Sequence, residues 1–100
     1  MHIRKRRMYE LSDAFVALPG GMGTLDEFCE IFTWAQIEYH AKPIILFNHH
    51  HFFDLFISHI GHAVDEGFMK PQDMQLIHVV HSLEEFEKLM AKIRIKYATL

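Results

Sequence analysis

One hundred residues, half of them hydrophobic and 23% charged, suit one small globular unit and argue against a disordered chain. A net charge of −3 argues against a general attraction to nucleic acid. The basic residues are uneven, because Arg4, Lys5, Arg6 and Arg7 supply four of the ten and leave six against thirteen acids. Such a run is a solvated helix face, a nucleic-acid arm or a local anion site, and only its context decides which.

In chain order, Ile3 to Leu11 is rich in helix formers and is predicted as a helix ending near Ser12-Asp13. Ala14-Phe15-Val16-Ala17-Leu18 is a continuous apolar run, the pattern of a strand buried on both faces in a parallel sheet. Pro19-Gly20-Gly21-Met22-Gly23 breaks it, and Thr24 is expected to open a helix running to about Tyr39. Leu25, Phe28, Cys29, Phe32 and Ala35 form its apolar stripe. The lone Cys29 is therefore expected to be a buried thiol, with no disulfide open to it. Ile44 to Phe47 is a second strand, Phe52 to Asp65 a helix stopping at Gly67, and Leu76 to Val80 a third strand. Leu83 to Ile95 is a final helix with Ser82 as its N-cap.

Alternating elements of these lengths predict a Rossmann-like α/β fold, a parallel sheet with helices on both faces. Three strands make a partial sheet, so the chain reads as truncated or reliant on a partner, with the Ala14–Leu18 strand exposing an unpaired edge. No apolar run is long enough to span a membrane, and no hydrophobic stretch follows the N-terminal charges, so the expectation is a cytoplasmic protein without a membrane partner.

The turn from Leu18 to Thr24 joins a strand to a helix N-terminus. Glycines there allow a tight turn and let a ligand approach the amides, and the helix dipole favours an anion such as phosphate. The glycine spacing differs from the dinucleotide fingerprint, and no lysine follows the last glycine as in a Walker A loop. A plain capped connection is the competing reading, since Thr24-Leu25-Asp26-Glu27 also matches a capping box. Glu27 beside a phosphate needs a cation to offset repulsion, and Arg4 to Arg7 is the dense source.

Pro19-Gly20-Gly21-Met22-Gly23-Thr24-Leu25-Asp26-Glu27 resembles the PGGxGTxxE motif of the LOG ("Lonely Guy") family, and Met1-His2-Ile3-Arg4-Lys5 resembles its upstream companion at the matching separation. Thr33-Trp34-Ala35-Gln36, Lys42-Pro43, Asn48 with Phe52-Phe53-Asp54, and Glu66-Gly67-Phe68 with Pro71 extend the likeness over nearly the whole chain. The resemblance implies a homodimeric, Rossmann-like hydrolase that splits the N-glycosidic bond of nucleoside 5'-monophosphates, cytokinin ribotides or AMP, into free base and ribose 5-phosphate. It implies Arg4 and Glu27 as the catalytic pair, and Gly20, Gly21, Gly23, Thr24 and the auxiliary cation Lys5 as the phosphate and ribose site. It implies no metal or organic cofactor. Proteins of this kind are often labelled lysine decarboxylases, but no lysine here stands in a recognisable cofactor-binding context. The chain departs from the family in lacking its N-terminal strand–helix region, and in placing His49-His50-His51 where other turn residues are usual. Trp34 is expected in the core or at the dimer contact.

Nine histidines raise a metal hypothesis through His49-His50-His51 and the pair His59/His62. Consecutive histidines seldom converge on one ion, so a solvated turn is the expectation. Two other classes stay open. One is a truncated, non-catalytic nucleotide-binding homologue; the other is a nucleic-acid binder using residues 4–7, against which the acidic remainder argues.

Overall fold

The computed structural model describes residues 10–37, 42–93 and 97–100. Residues 10 and 11 are helical and Ser12 is not, which agrees with a helix end there; the rest of the predicted first helix, with Arg4 to Arg7, lies outside the described residues. Strand β1 (Ala14–Ala17) leads into helix α1 (Met22–Gln36), followed by strand β2 (Ile44–Phe47), helix α2 (Asp54–Asp65), strand β3 (Ile77–Val80), helix α3 (Leu83–Ile93) and strand β4 (Tyr97–Thr99). Short 3-10 turns at His49–His51 and Pro71–Leu76 precede α2 and β3.

All pairings are parallel and the strand order is β3-β2-β1-β4. The three expected strands are present. A fourth, at Tyr97–Thr99, follows the final helix, which ends at Ile93. The strand predicted to carry a free edge is instead the one flanked on both sides: Phe15 is level with Ile44 of β2 and with Ala98 of β4. The C-terminal residues covered it, and three consecutive residues are too few for periodicity to reveal a strand.

Alternation along the strands divides the core between the two faces. Phe15, Ala17, Ile44 and Leu46 meet Phe28, Ile31, Phe32 and Ala35 of α1 and Ile60 of α2. Val16, Ile45 and Val80 meet Phe86 of α3 on the other face. Right-handed crossovers require this division, because β1-α1-β2 and β2-α2-β3 step one way across the sheet and β3-α3-β4 returns the other way. Strands buried on both faces need apolar side chains at every position, and β1 has them.

Helix α1 buries Phe28, Ile31, Phe32 and Ala35, spaced i, i+3, i+4 and i+7, and Trp34 packs partly buried against the same cluster. Cys29 falls outside that stripe and is exposed, contrary to its expected burial. The helix ends at Gln36, earlier than expected, and Tyr39 lies outside the described residues. Helix α2 starts two residues later than expected and ends where glycine permits. Gly67 takes φ 84°, its amide donates to the Val64 carbonyl, and the Phe68 amide donates to that of Ala63. Ser82 caps α3 as expected: its hydroxyl accepts from the Glu85 amide at 3.2 Å, and Glu85 accepts from the His81 amide at 2.6 Å. No helix among the described residues is long and apolar enough to cross a membrane.

Candidate functional site

The strand order reverses at β1, with β2 and β3 on one side and β4 on the other. In an open α/β sheet, ligands bind outside the carboxyl ends of the strands at that reversal. The turn leaving β1 there is the glycine turn. Helix α1 begins at Met22 with Gly21 as N-cap and no side-chain cap. This corrects the expectation that Thr24 opens the helix. Thr24 is its third residue and Glu27 its sixth, so the Thr24–Glu27 capping box does not form, and Glu27 is released from that structural task.

The first bond of the helix runs from the Leu25 amide to the Gly21 carbonyl, at 3.3 Å. The amides of Met22, Gly23 and Thr24 therefore have no acceptor within the helix. The first turn also carries no acidic side chain to offset the dipole. Its exposed N-terminal surface is suited to a bound anion.

The three glycines serve different ends. A Cβ at Gly20 would collide with Thr24 Oγ1 and stand 3.1 Å from Thr24 Cβ, so the chain itself requires glycine there. Among the described residues, a Cβ at Gly21 or Gly23 would meet nothing within 4 Å. Among the described glycines only Gly67 needs a left-handed backbone. Neither packing against the described residues nor φ accounts for Gly21 and Gly23, whereas a ligand lying on the amides would. Thr24 and Glu27 are both half-buried and, three residues apart, share one helix face.

Arg4 and Lys5 lie outside the described residues. Lys42 and Lys70 precede β2 and β3, at the opposite end of the sheet from the glycine turn. Lys88, in the middle of α3, pairs with Glu84 at 3.3 Å. Lys92 lies in the last turn of the same helix.

Next to the turn lies a groove of about 660 Å³, with Leu18 and Pro19 as one wall and Phe47 and Leu83 among its other apolar lining. His49 and His81 also line it. Sequence reading took the histidine turn as merely solvated and passed over His81. The available signal was that His81 directly follows β3 and His49 stands two residues past β2, where such a sheet presents ligand-contacting groups.

Asn48, 2% exposed, organises this end of the sheet. Its amide N–H donates to the Val80 carbonyl at 2.7 Å, its Oδ1 accepts from the Phe53 amide at 2.6 Å, and its Nδ2 donates to Asp54 Oδ1 at 2.7 Å. That last bond, followed by the nearby His51 and His81, holds the Asp54 carboxyl below its usual range despite opposing desolvation. His51 Nδ1 stands 3.3 Å from Asp54 Oδ2. No group of three or more metal-ligating side chains converges among the described residues, and His59 and His62 are both exposed. Partial burial first, and then Asp26, push the Cys29 thiol up, which makes it a poor nucleophile.

A family model described as "Possible lysine decarboxylase" matches residues 1–90. The chain is 42% identical over 103 residues to a cytokinin riboside 5'-monophosphate phosphoribohydrolase of Arabidopsis thaliana, covering 96% of this chain and 48% of the relative. It is 44% identical over 84 residues to the enzyme of that name from Rhodococcoides fascians, covering 84% of this chain and 42% of the relative. It is 45% identical over 93 residues to the LOG protein of that name from Oryza sativa subsp. japonica, covering 86% and 38%. The chain thus spans less than half the length of these relatives. Its fold, its glycine turn and these matches show that it belongs to the LOG-type "Possible lysine decarboxylase" family.

Proposed function

We propose that this chain carries the phosphate-binding turn and catalytic carboxylate of a nucleoside 5'-monophosphate phosphoribohydrolase. The observation that supports the reading is the pair of glycines, Gly21 and Gly23, that neither packing against the described residues nor backbone angle requires, set on amides without an acceptor inside the helix at the reversal point of the sheet. The substrates are nucleoside 5'-monophosphates, cytokinin ribotides or AMP, in keeping with the names of the relatives. The products are free base and ribose 5-phosphate.

N-glycoside cleavage builds positive charge on the ribose, and a carboxylate nearby stabilises it. Glu27 fills that role or activates the attacking water, in a chain where it has no capping duty. Gly20, Gly21, Gly23 and Thr24 hold the phosphate, and its binding energy orients the reacting carbon. By the motif resemblance, Arg4 orients Glu27 and the phosphate, with Lys5 as auxiliary cation. These 100 residues form one LOG-type unit, acting as a cytoplasmic homodimer and needing no metal or organic cofactor.

The test is incubation with AMP and with N6-isopentenyl AMP, followed by chromatography for base and ribose 5-phosphate. The expected result is release by the chain, and loss of release in Glu27→Gln with ribose 5-phosphate binding retained. Undiminished release by Glu27→Gln would refute the assigned role. Binding of AMP by the folded chain without release would point to the non-catalytic homologue instead.

A further inference from the structure

Positive charge at the carboxyl end of the sheet comes, among the described residues, from histidine. Of the described lysines, Lys42 and Lys70 stand at the opposite end, Lys88 pairs with Glu84, and Lys92 lies in the last turn of α3. The groove beside the glycine turn has no lysine or arginine in its described lining, and its ionisable groups are the imidazoles of His49 and His81. Two more imidazoles adjoin them. The His50 ring lies 3.9 Å from that of His49, and the His51 ring 5.6 Å from that of His81.

The backbone fixes this cluster in place. The Asn48 amide donates to the Val80 carbonyl at 2.7 Å, joining the residue before His49 to the residue before His81. His50 and His51 adopt left-handed backbone, with φ 52° and 59°, in a turn that the Asn48 side chain holds against Phe53 and Asp54. The His49 ring stands 6.2 Å from that of Phe47. The charged groups on the surrounding elements are acids: Asp54 of α2, Glu84 and Glu85 in the first turn of α3, and Asp26 and Glu27 of α1. Asp54 Oδ2 lies 3.3 Å from His51 Nδ1, so a proton on His51 meets a matching carboxylate. His49 and His50 are close enough to repel when both are charged, and take up their protons in turn.

Side-chain carboxylates stay ionised between about pH 5 and 8, whereas imidazoles gain positive charge as the pH falls across that window. The field of the described groups at this end therefore becomes more positive in weak acid, beside a helix N-terminus suited to an anion. Leu18 and Pro19, one wall of the groove, run directly into Gly20, so the field acts on the phosphate turn. We propose that His49 and His81 form a proton-controlled counter-charge for this anion site, strengthening anion binding as the pH falls through the imidazole range. The proposal rests on the phosphate reading of the glycine turn and adds its regulation by pH. By linkage, anion binding draws protons onto the same two rings.

Sulfate is the probe, because it stays doubly charged across the window, whereas a phosphate monoester loses its second charge at about pH 6. Titration of the full chain at fixed ionic strength is followed by NMR. Binding is expected to be about tenfold tighter at pH ~5.5 than at pH ~8, with shifts at the amides of Gly21, Gly23 and Thr24. In the chain carrying both His49→Gln and His81→Gln, the ratio between the two pH values is expected to fall to about one. The chain carrying His59→Gln and His62→Gln, two exposed positions of α2 outside the groove, is expected to keep the full gain. Sulfate affinity that does not change with pH overturns the proposal, as does a gain that survives the loss of His49 and His81 or disappears with His59 and His62. Sulfate that binds without shifting the glycine amides overturns the phosphate reading instead, and the His49→Gln, His81→Gln comparison still decides the histidine counter-charge. Sulfate that binds at neither pH overturns both.

Discussion

Replacing Gly23 by alanine is expected to stabilise the fold and weaken the ligand site at once. Gly23 is the second residue of α1, and an added Cβ would meet nothing within 4 Å among the described residues. Glycine within a helix costs about 0.5–1 kcal/mol relative to alanine, and with no clash to subtract, the substitution recovers most of that. For a domain of this size the gain raises Tm by roughly 2–8 °C. The same methyl group stands over the unsatisfied amides of the first turn, in the space a phosphate would fill. Ribose 5-phosphate affinity is expected to fall at least about tenfold, or ~1.4 kcal/mol. Thermal melts followed by circular dichroism and titration calorimetry on the same preparation read both quantities. A variant that melts higher and binds as tightly as the parent would refute the argument that the glycine is kept for a ligand.

Gly20→Ala should behave oppositely, losing about 1–3 kcal/mol through the collision with Thr24. In a Thr24→Ala background that cost should shrink, which a double-mutant cycle of denaturant midpoints measures. Asn48→Ala leaves the buried Phe53 amide without its acceptor and is expected to cost about 1–3 kcal/mol in urea unfolding. The depressed Asp54 pKa means that its stabilising contribution is present above the unfolded carboxyl value, ~3.9, and is lost as pH falls through the lower folded value. Asn48→Ala removes the largest cause, so the Asp54 carboxyl titration by NMR should move upward towards ~3.9. Cys29, though exposed, should react with iodoacetamide at neutral pH more slowly than a free thiol, and Asp26→Asn should speed it.

The local pattern of the chain decided a good deal without help. Apolar runs at Ala14 to Ala17 and Ile44 to Phe47 matched strands buried on both faces, and a period near 3.6 marked the Phe28–Phe32–Ala35 stripe. Gly67 as helix stop and Ser82 as cap were legible because each answers a backbone need within a few residues. So was the glycine turn, since a strand–glycine–helix junction has one end of the sheet at which to lie.

Other features depended on what the folded chain brings together. Thr24 and Glu27 have capping-box spacing in sequence, yet the helix begins two residues earlier, because nothing local forces Gly21 out of the N-cap position. Cys29 borders the apolar stripe, and only the packing of α1 on the sheet put it outside. The three-residue β4 has no period of its own and becomes a strand only by bonding to β1. The groove is the clearest case. Leu18, Phe47, His49, His81 and Leu83 are spread over 66 positions of the sequence, and only parallel strands ending at one level set them side by side.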